Sequence, residues 1–389
     1  MSRPGFFGVK VFVVLFVVFC ALGTTIPARA QDEEKPVRPP TVNAQAWMVA
    51  DADSGRALAG AEAGKRLPIA STTKIMVALV ALDEGADLDE EVTVSENAAS
   101  YAGFEYSNIG LFRGDKVSVE ELMLASLVPS ATDAVYALSE HLGGGSVKTF
   151  VGKMNDKADE MGLENTHFEN PAGLDSKEHY SSARDLTEIA AAAMEYPEFR
   201  KMVSTVDASI TTQDRKIEFS NTNFLLNTYS AATGVKTGTT PEGGASLVSS
   251  AESGDESYIA VVLGAASEDE RFAGSRRVLE YAFENYERKI LVPKDKIYDE
   301  IDVPFRRGES IEVASEKEVE VLTGPGAQTE RRVTMKKAPA AVEKGDELGE
   351  VEVLVDGRSV GNTPLVAEKG YEEASFFQKS WYRVRGLFD

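Results

Sequence analysis

From position 46 the chain runs apolar through Trp47-Met48-Val49-Ala50, turns polar from Asp51 to Gly55, and returns to Ala57-Leu58. This pattern predicts two short strands around a turn. Residues 75–82 are apolar on every side and follow the helix-start signal Ser71-Thr72-Thr73, so they predict a buried central helix. Helical periodicity recurs over 119–127, 131–142 and 185–194. Two apolar runs, 245–251 and 258–263, flank a polar turn and predict a strand hairpin, with a helix to follow at about 271–286. Beyond about Val292 the texture changes to short alternating strands at 310–313, 318–322 and 350–355, with turns at Gly324-Pro325-Gly326 and Asp356-Gly357. The order of elements predicts an α/β unit over 42–288, with helices around an antiparallel sheet closed by the first hairpin, and a small all-β domain over 292–369.

The two ends carry different signals. Basic Arg3 and Lys10, an apolar run over 11–22 and Pro27-Ala28-Arg29-Ala30 form the three parts of a secretory signal peptide over 1–30, so export is expected. An apolar run of twelve residues is short of the roughly twenty that span a bilayer. Bulky Phe19 argues against lipid attachment at Cys20, and residues 31–41, with three prolines, read as an extended linker. At the other end, Phe377, Trp381, Val384 and Phe388 share one helical stripe, with Lys379, Arg383 and Arg385 around it. This predicts an amphipathic tail over 370–389 that lies on a membrane surface, packing on the β domain being the competing reading.

Charge and composition narrow the chemistry. The formal net charge of -22 makes nucleic acid an unsuitable partner, since phosphate backbones need a basic face. Cys20 is the only cysteine and lies in the leader, which excludes thiol chemistry in the exported chain. With only His141, His167 and His179, and no His-Glu-x-x-His helix, no metal or other cofactor is expected, and the histidines read as structural or surface groups.

Ser71-Thr72-Thr73-Lys74 sets a hydroxyl and an amine three residues apart, on one face if they open a helix. A serine hydroxyl needs a neighbouring base, and a lysine serves only when neutral. Its ordinary pKa of about 10.4 must then be lowered, by burial beside a second cation. Lys236-Thr237-Gly238 can supply that cation from an edge strand, with Gly238 allowing close approach of a substrate backbone. The hydroxyls of Thr237 and Thr239 suit a carboxylate, and the N–H groups of Thr239 and Ser71 can form an oxyanion hole. Ser130-Ala131-Thr132 offers hydroxyls for relaying a proton between the two lysines and a leaving amine. Taken alone, Ser-x-x-Lys also reads as a helix-capping serine with an exposed lysine.

The three elements, in this order behind an export leader, resemble the set shared by penicillin-binding proteins and class A β-lactamases. Longer strings are similar to those of the D-alanyl-D-alanine carboxypeptidase family, the serine-type low-molecular-weight penicillin-binding proteins. They are Arg66-Leu67-Pro68-Ile69-Ala70 before Ser71, Arg113-Gly114-Asp115-Lys116-Val117-Ser118-Val119-Glu120, His167 to Asp175, His179 to Asp185, and Ser220 to Leu226. The resemblance implies a penicillin-binding transpeptidase fold with the β domain as a stalk, and removal of the terminal D-alanine from peptidoglycan stem peptides at the outer face of the membrane. It implies Ser71 as nucleophile, Lys74 as base, Ser130 as relay, and Lys236 with Thr237 as binders of the D-alanine carboxylate. It also implies that Arg271 lies near that carboxylate, a salt-bridged structural arginine being the competing reading, that β-lactams are covalent inhibitors, and that the tail meets the membrane. Where the family's second motif ends in asparagine this chain has Thr132, with one hydroxyl in place of two donors and a carbonyl. Asp133 beside it resembles the family's helix-supporting carboxylate.

Two rivals remain at this level. A β-lactamase shares the acyl-enzyme but needs a water-activating group, and no Glu-x-x-Leu-Asn string lies between Asp133 and Lys236. A non-catalytic wall-binding scaffold draws its only encouragement from Thr132.

Overall fold

The computed structural model describes residues 38–385, and residues 383–385 without their side chains. The leader, most of the linker, the side chain of Val384 and all of Phe388 therefore lie outside the described residues.

The first strands, β1 (Ala46–Asp51) and β2 (Ala57–Ala61), form the expected hairpin. A 3₁₀ turn, Ala70–Thr73, leads into α1 (Lys74–Asp83). Then come β3 (Glu91–Thr93), α2 (Glu96–Ser100), β4 (Lys116–Ser118), α3 (Val119–Leu127), α4 (Thr132–Leu142) and α5 (Val147–Glu160). They are followed by α6 (Ala183–Met194), α7 (Pro197–Ser204), the hairpin β5 (Asp207–Thr211) and β6 (Lys216–Ser220), and α8 (Leu225–Thr228). Three long strands, β7 (Ala232–Thr240), β8 (Gly244–Ser253) and β9 (Glu256–Ala265), precede α9 (Glu268–Asn285). The β3–β4 and β5–β6 hairpins, α2, α5, α7 and α8 were not expected; the hairpin strands, α2 and α8 are short, whereas α5 buries Phe150, Val151, Met154 and Ala158 on one helical stripe that the sequence does carry.

The main sheet has the order β2-β1-β9-β8-β7 and is antiparallel throughout, so the last strand of the hairpin closes on the first strand of the chain. Strand period decides its packing. Met48 and Ala50 of β1, with Ile259, Val261 and Leu263 of β9, face a core built on α1 and α6, while Trp47, Val49, Tyr258, Ala260 and Val262 face Val278, Leu279 and Ala282 of α9. Successive side chains thus serve opposite cores, and both faces of the sheet are covered by helices. On the first face, α1 is buried from Lys74 to Ala81, which accounts for its apolar surface on all sides. At the sheet margin β7 has a partner only in β8, the edge position expected for Lys236.

The remaining strands are β10 (Glu287–Val292), β11 (Ile297–Asp302), β12 (Ser310–Ser315), β13 (Val319–Thr323), β14 (Thr329–Met335), β15 (Glu347–Val355) and β16 (Arg358–Ala367), before α10 (Phe376–Arg385). They form a sheet β11-β12-β16-β15-β14 and a β10-β13 pair around their own core of Val313, Val321, Val351, Val353 and Leu365. Asp356 and Gly357, both at positive φ, make the two-residue turn between β15 and β16.

Three contacts tie this region to the main sheet. Leu322 of β13 enters the core beneath α9, and the Tyr286 hydroxyl donates to the Leu58 carbonyl at 2.8 Å. Arg288 of β10 pairs with Asp51 at 2.8 Å and also with Asp53. Asp51 is 1% exposed, so its carboxylate depends on such partners. Arg288→Ala is expected to lower unfolding free energy by about 3 kcal/mol, the usual effect of stranding one member of a buried ion pair. Urea denaturation of both proteins checks this, and a change below about 0.5 kcal/mol would show that Asp51 is satisfied without Arg288.

Candidate active site

The turn that starts α1 carries the first motif in an unusual backbone setting. Ala70 sits at φ 50, and the residues after it form one 3₁₀ turn before the α-helix begins at Lys74. Ser71 caps nothing with its side chain and Lys74 is 1% exposed, so the capping-serine reading of this motif does not hold. Lys74 Nζ lies 2.8 Å from Ser71 Oγ and donates to the Ala172 carbonyl at 3.1 Å. Burial pushes the Lys74 amine down to about 7, with the Asp133 carboxylate opposing. This differs from the expectation that a second cation drives the shift. Here desolvation dominates, and it is Lys236 that is lowered well below its ordinary value, first by its own burial, then by the charges of Lys74 and Arg271.

Strand β7 lies against the same turn. A side chain at Gly238 would come within 2.9 Å of the Ile69 carbonyl and 3.0 Å of the Ser71 nitrogen, so only glycine permits this approach. The Thr237 hydroxyl shares a 2.6 Å hydrogen bond with Thr222, from the segment 220–226. Arg271, 4% exposed on α9, donates to Thr239 Oγ1 at 2.7 Å, to the Gly238 carbonyl at 3.3 Å and to Glu268 at 3.2 Å. Its Nε is buried with no partner among the described residues. Arg271 is thus both salt-bridged and set against the Lys-Thr-Gly strand.

A third element is the turn that enters α4, which carries Ser130 and Thr132, and Asp133 beside them acts through its charge on Lys74. Ser130 is 5% exposed at φ 68, a strained value for a residue with a Cβ, two residues before α4 begins. The Thr132 N–H donates to the Ser107 carbonyl at 2.7 Å. Asp133, buried, accepts from the N–H groups of Leu111 and Ala134, each at 2.9 Å. It therefore holds the 107–111 loop against the start of α4, and its charge reaches Lys74. Contacts and electrostatics thus join Ser71, Lys74, Lys236, Gly238, Thr239 and Arg271 from the 3₁₀ turn, α1, β7 and α9, and Asp133 links the start of α4 to Lys74, whereas among the described residues no hydrogen bond joins Ser130 or Thr132 to them.

A fourth side, the 167–175 loop, was noted in the sequence without any site role. Gly173, at φ 83, faces Ala70 so closely that a Cβ would lie 1.8 Å from the Ala70 carbonyl oxygen. Its Asn-Pro-x-Gly turn chemistry was the available signal. His167 is half-buried and donates from Nδ1 to the Glu178 carbonyl, whereas His179 is buried.

A family model described as D-alanyl-D-alanine carboxypeptidase matches residues 33–267, and one for the C-terminal domain of penicillin-binding protein 5 matches residues 286–373. The chain belongs to the D-alanyl-D-alanine carboxypeptidase family. Within that family it is similar to the carboxypeptidase DacF of Bacillus subtilis, 34% identical over 86% of this chain and 87% of the relative. It is also similar to DacC of Escherichia coli, 32% identical over 90% and 89%. Among solved structures, penicillin-binding protein 5 of Haemophilus influenzae matches with TM-score 0.69 and 31% identity, covering 87% of this chain and 100% of that one. The Streptomyces K15 DD-transpeptidase matches with TM-score 0.60 and 37% identity over 64% and 100%. As a family member the chain is a serine-type peptidase with the penicillin-binding transpeptidase fold and a C-terminal β domain.

Gly173→Ala is expected to slow labelling by a fluorescent penicillin by about 100-fold, since moving the nucleophile turn by about 1 Å has that scale of effect. Stopped-flow labelling beside a thermal melt checks it, and an unchanged rate would mean that the turn does not depend on this contact.

Proposed function

We propose that the chain removes the terminal D-alanine of peptidoglycan stem peptides through an ester on Ser71, with Lys74 as the base. The observation that carries this reading is the 2.8 Å contact between Ser71 Oγ and an amine that burial brings to about 7. Neutral Lys74 takes the Ser71 proton as Oγ attacks the carbonyl between the two D-alanines. The oxyanion is held by the N–H groups of Ser71 and Thr239, and Ser130 passes the proton to the departing amine. The C–N bond breaks, D-alanine leaves, and water then hydrolyses the ester by the reverse proton path.

Lys236, Thr237, Thr239 and Arg271 hold the terminal carboxylate in this scheme, and Thr132 faces the substrate amide with its hydroxyl. An arriving carboxylate favours the charged form of Lys236, whose buried amine is otherwise pushed toward neutrality. A β-lactam enters by the same attack and stays as a long-lived ester. The sequence features that support export are the charged, apolar and small-residue parts of 1–30. The division at about 288–292 is supported by the separate core of β11 to β16.

Attachment to a membrane surface rests on α10. Phe376, Phe377 and Trp381 are 79%, 83% and 67% exposed. Tyr382 packs edge-on against Phe305 at 5.7 Å, which fixes the helix to the β domain while those three side chains stay outward. No described helix is long and apolar enough to cross a membrane.

Three outcomes are expected. Ser71→Ala forms no penicillin adduct on a denaturing gel, and Lys74→Ala acylates about 10²- to 10⁴-fold more slowly in stopped flow. Because protonated Lys74 cannot accept a proton, the acylation rate falls about tenfold per pH unit below 7 and levels off above it. A flat profile between pH 5 and 8 would remove Lys74 as the base. Deleting the chain from Ser375 onward abolishes flotation with anionic vesicles and leaves acylation unchanged. Continued flotation would place the attachment elsewhere.

A further inference from the structure

We propose that Asn170 and His179 are positioning residues for Lys74, acting through the carbonyl oxygen of Ala172. The inference rests on the reading of Lys74 as the base and adds what aims it.

Between Asn170 and Leu174 the chain has no regular secondary structure, yet one carboxamide organises it. Asn170 Oδ1 accepts from the N–H groups of Ala172 at 3.1 Å, Gly173 at 2.8 Å and Leu174 at 2.9 Å, while Nδ2 donates to the Leu174 carbonyl at 3.0 Å. These four bonds fold the loop so that the Ala172 carbonyl faces Lys74 Nζ at 3.1 Å and Ser71 Oγ at 3.4 Å.

His179 ties the same loop to the nucleophile turn. Its Nδ1 accepts from the Glu169 N–H at 3.1 Å, and its Nε2 lies 2.8 Å from Thr73 Oγ1. The Thr73 hydroxyl spends its one proton on the Ala70 carbonyl at 2.8 Å, so Nε2 must be the donor. The ring is therefore the neutral Nε2–H tautomer. Burial holds His179 at about 4, with His167 adding to the shift and Asp175 opposing it. The clamp keeps one protonation state through the working pH range. One imidazole thus joins the residue before Asn170 to the residue before Lys74.

The chemical need is directional. A neutral amine has two N–H groups and one lone pair, and only the lone pair can take the Ser71 proton. A carbonyl oxygen is an acceptor alone, so holding one N–H of Lys74 restricts rotation about the terminal C–N bond and leaves the lone pair for Oγ. The charged groups acting on or through this amine are Asp133 of α4 and Lys236 of β7, with Arg271 of α9 beyond Lys236. None is displaced by a change at position 170.

The test compares the full chain with Asn170→Ala, Asn170→Asp, His179→Gln and Lys74→Ala. Fluorescent penicillin serves as the probe, stopped flow separates initial affinity from acylation rate, and the pH is varied. Asn170→Ala is expected to acylate about 100-fold more slowly at every pH, with initial affinity and the midpoint of the acidic limb unchanged. Asn170→Asp keeps the three acceptor bonds, gives up the bond to the Leu174 carbonyl and adds a negative charge to the loop whose Ala172 carbonyl meets Lys74, so it recovers part of the rate at high pH with its limb moved upward. His179→Gln retains a donor and an acceptor and is expected to lose less than Asn170→Ala.

A wild-type acylation rate in Asn170→Ala, or a loss carried entirely by weaker initial affinity, overturns the proposal. If Asn170→Ala does not fold, Asn170→Asp decides alone, and an unmoved limb then counts against it. A normal rate in Lys74→Ala would instead defeat the assignment of the base, which keeps the two failures distinct.

Discussion

The site depends on keeping one amine out of water. A lysine lowered from 10.5 to about 7 has lost about 5 kcal/mol of preference for its charged form, and here the loss comes from burial. The surrounding architecture accounts for that burial. An all-apolar helix continues directly from Lys74, the edge strand closes one side with a glycine, α4 closes another, and an irregular loop covers the remainder. Strained backbone at Ala70 and Ser130 brings the two hydroxyl-bearing turns inward, and the well-packed helices that follow each of them hold that strain.

Much of this was legible in the residues because side-chain period and packing coincide. The 119–127 helix matches α3 residue for residue, and the 258–263 strand lies within the longer β9. The first and third motifs were assigned to a helix start and an edge strand, and they lie on the 3₁₀ turn that leads into α1 and on the edge strand β7. What was not legible is contact between segments far apart in the chain. The Ala172 carbonyl belongs to a residue with no functional side chain, and its importance arises from Asn170 folding a loop onto a turn a hundred positions earlier.

Electrostatics supplied the main revision. Sequence logic demanded a second cation beside Lys74, and a second lysine is indeed buried close by, but burial is the main cause for each amine, and the charge of Lys74 acts on Lys236 as a lesser one. Asp133, read in the sequence only as a helix-supporting carboxylate, is held by backbone N–H groups and works against the lowering. The position of Lys74 is thus a balance between exclusion of water and one buried negative charge.

Leu322 has a wider consequence. A strand of the C-terminal sheet contributes an apolar side chain to the layer beneath α9, next to Trp47 and Val262. Cutting the chain between the two sheets would remove this side chain and open a gap in the packing beneath α9, so the catalytic half is completed by a residue of the smaller one.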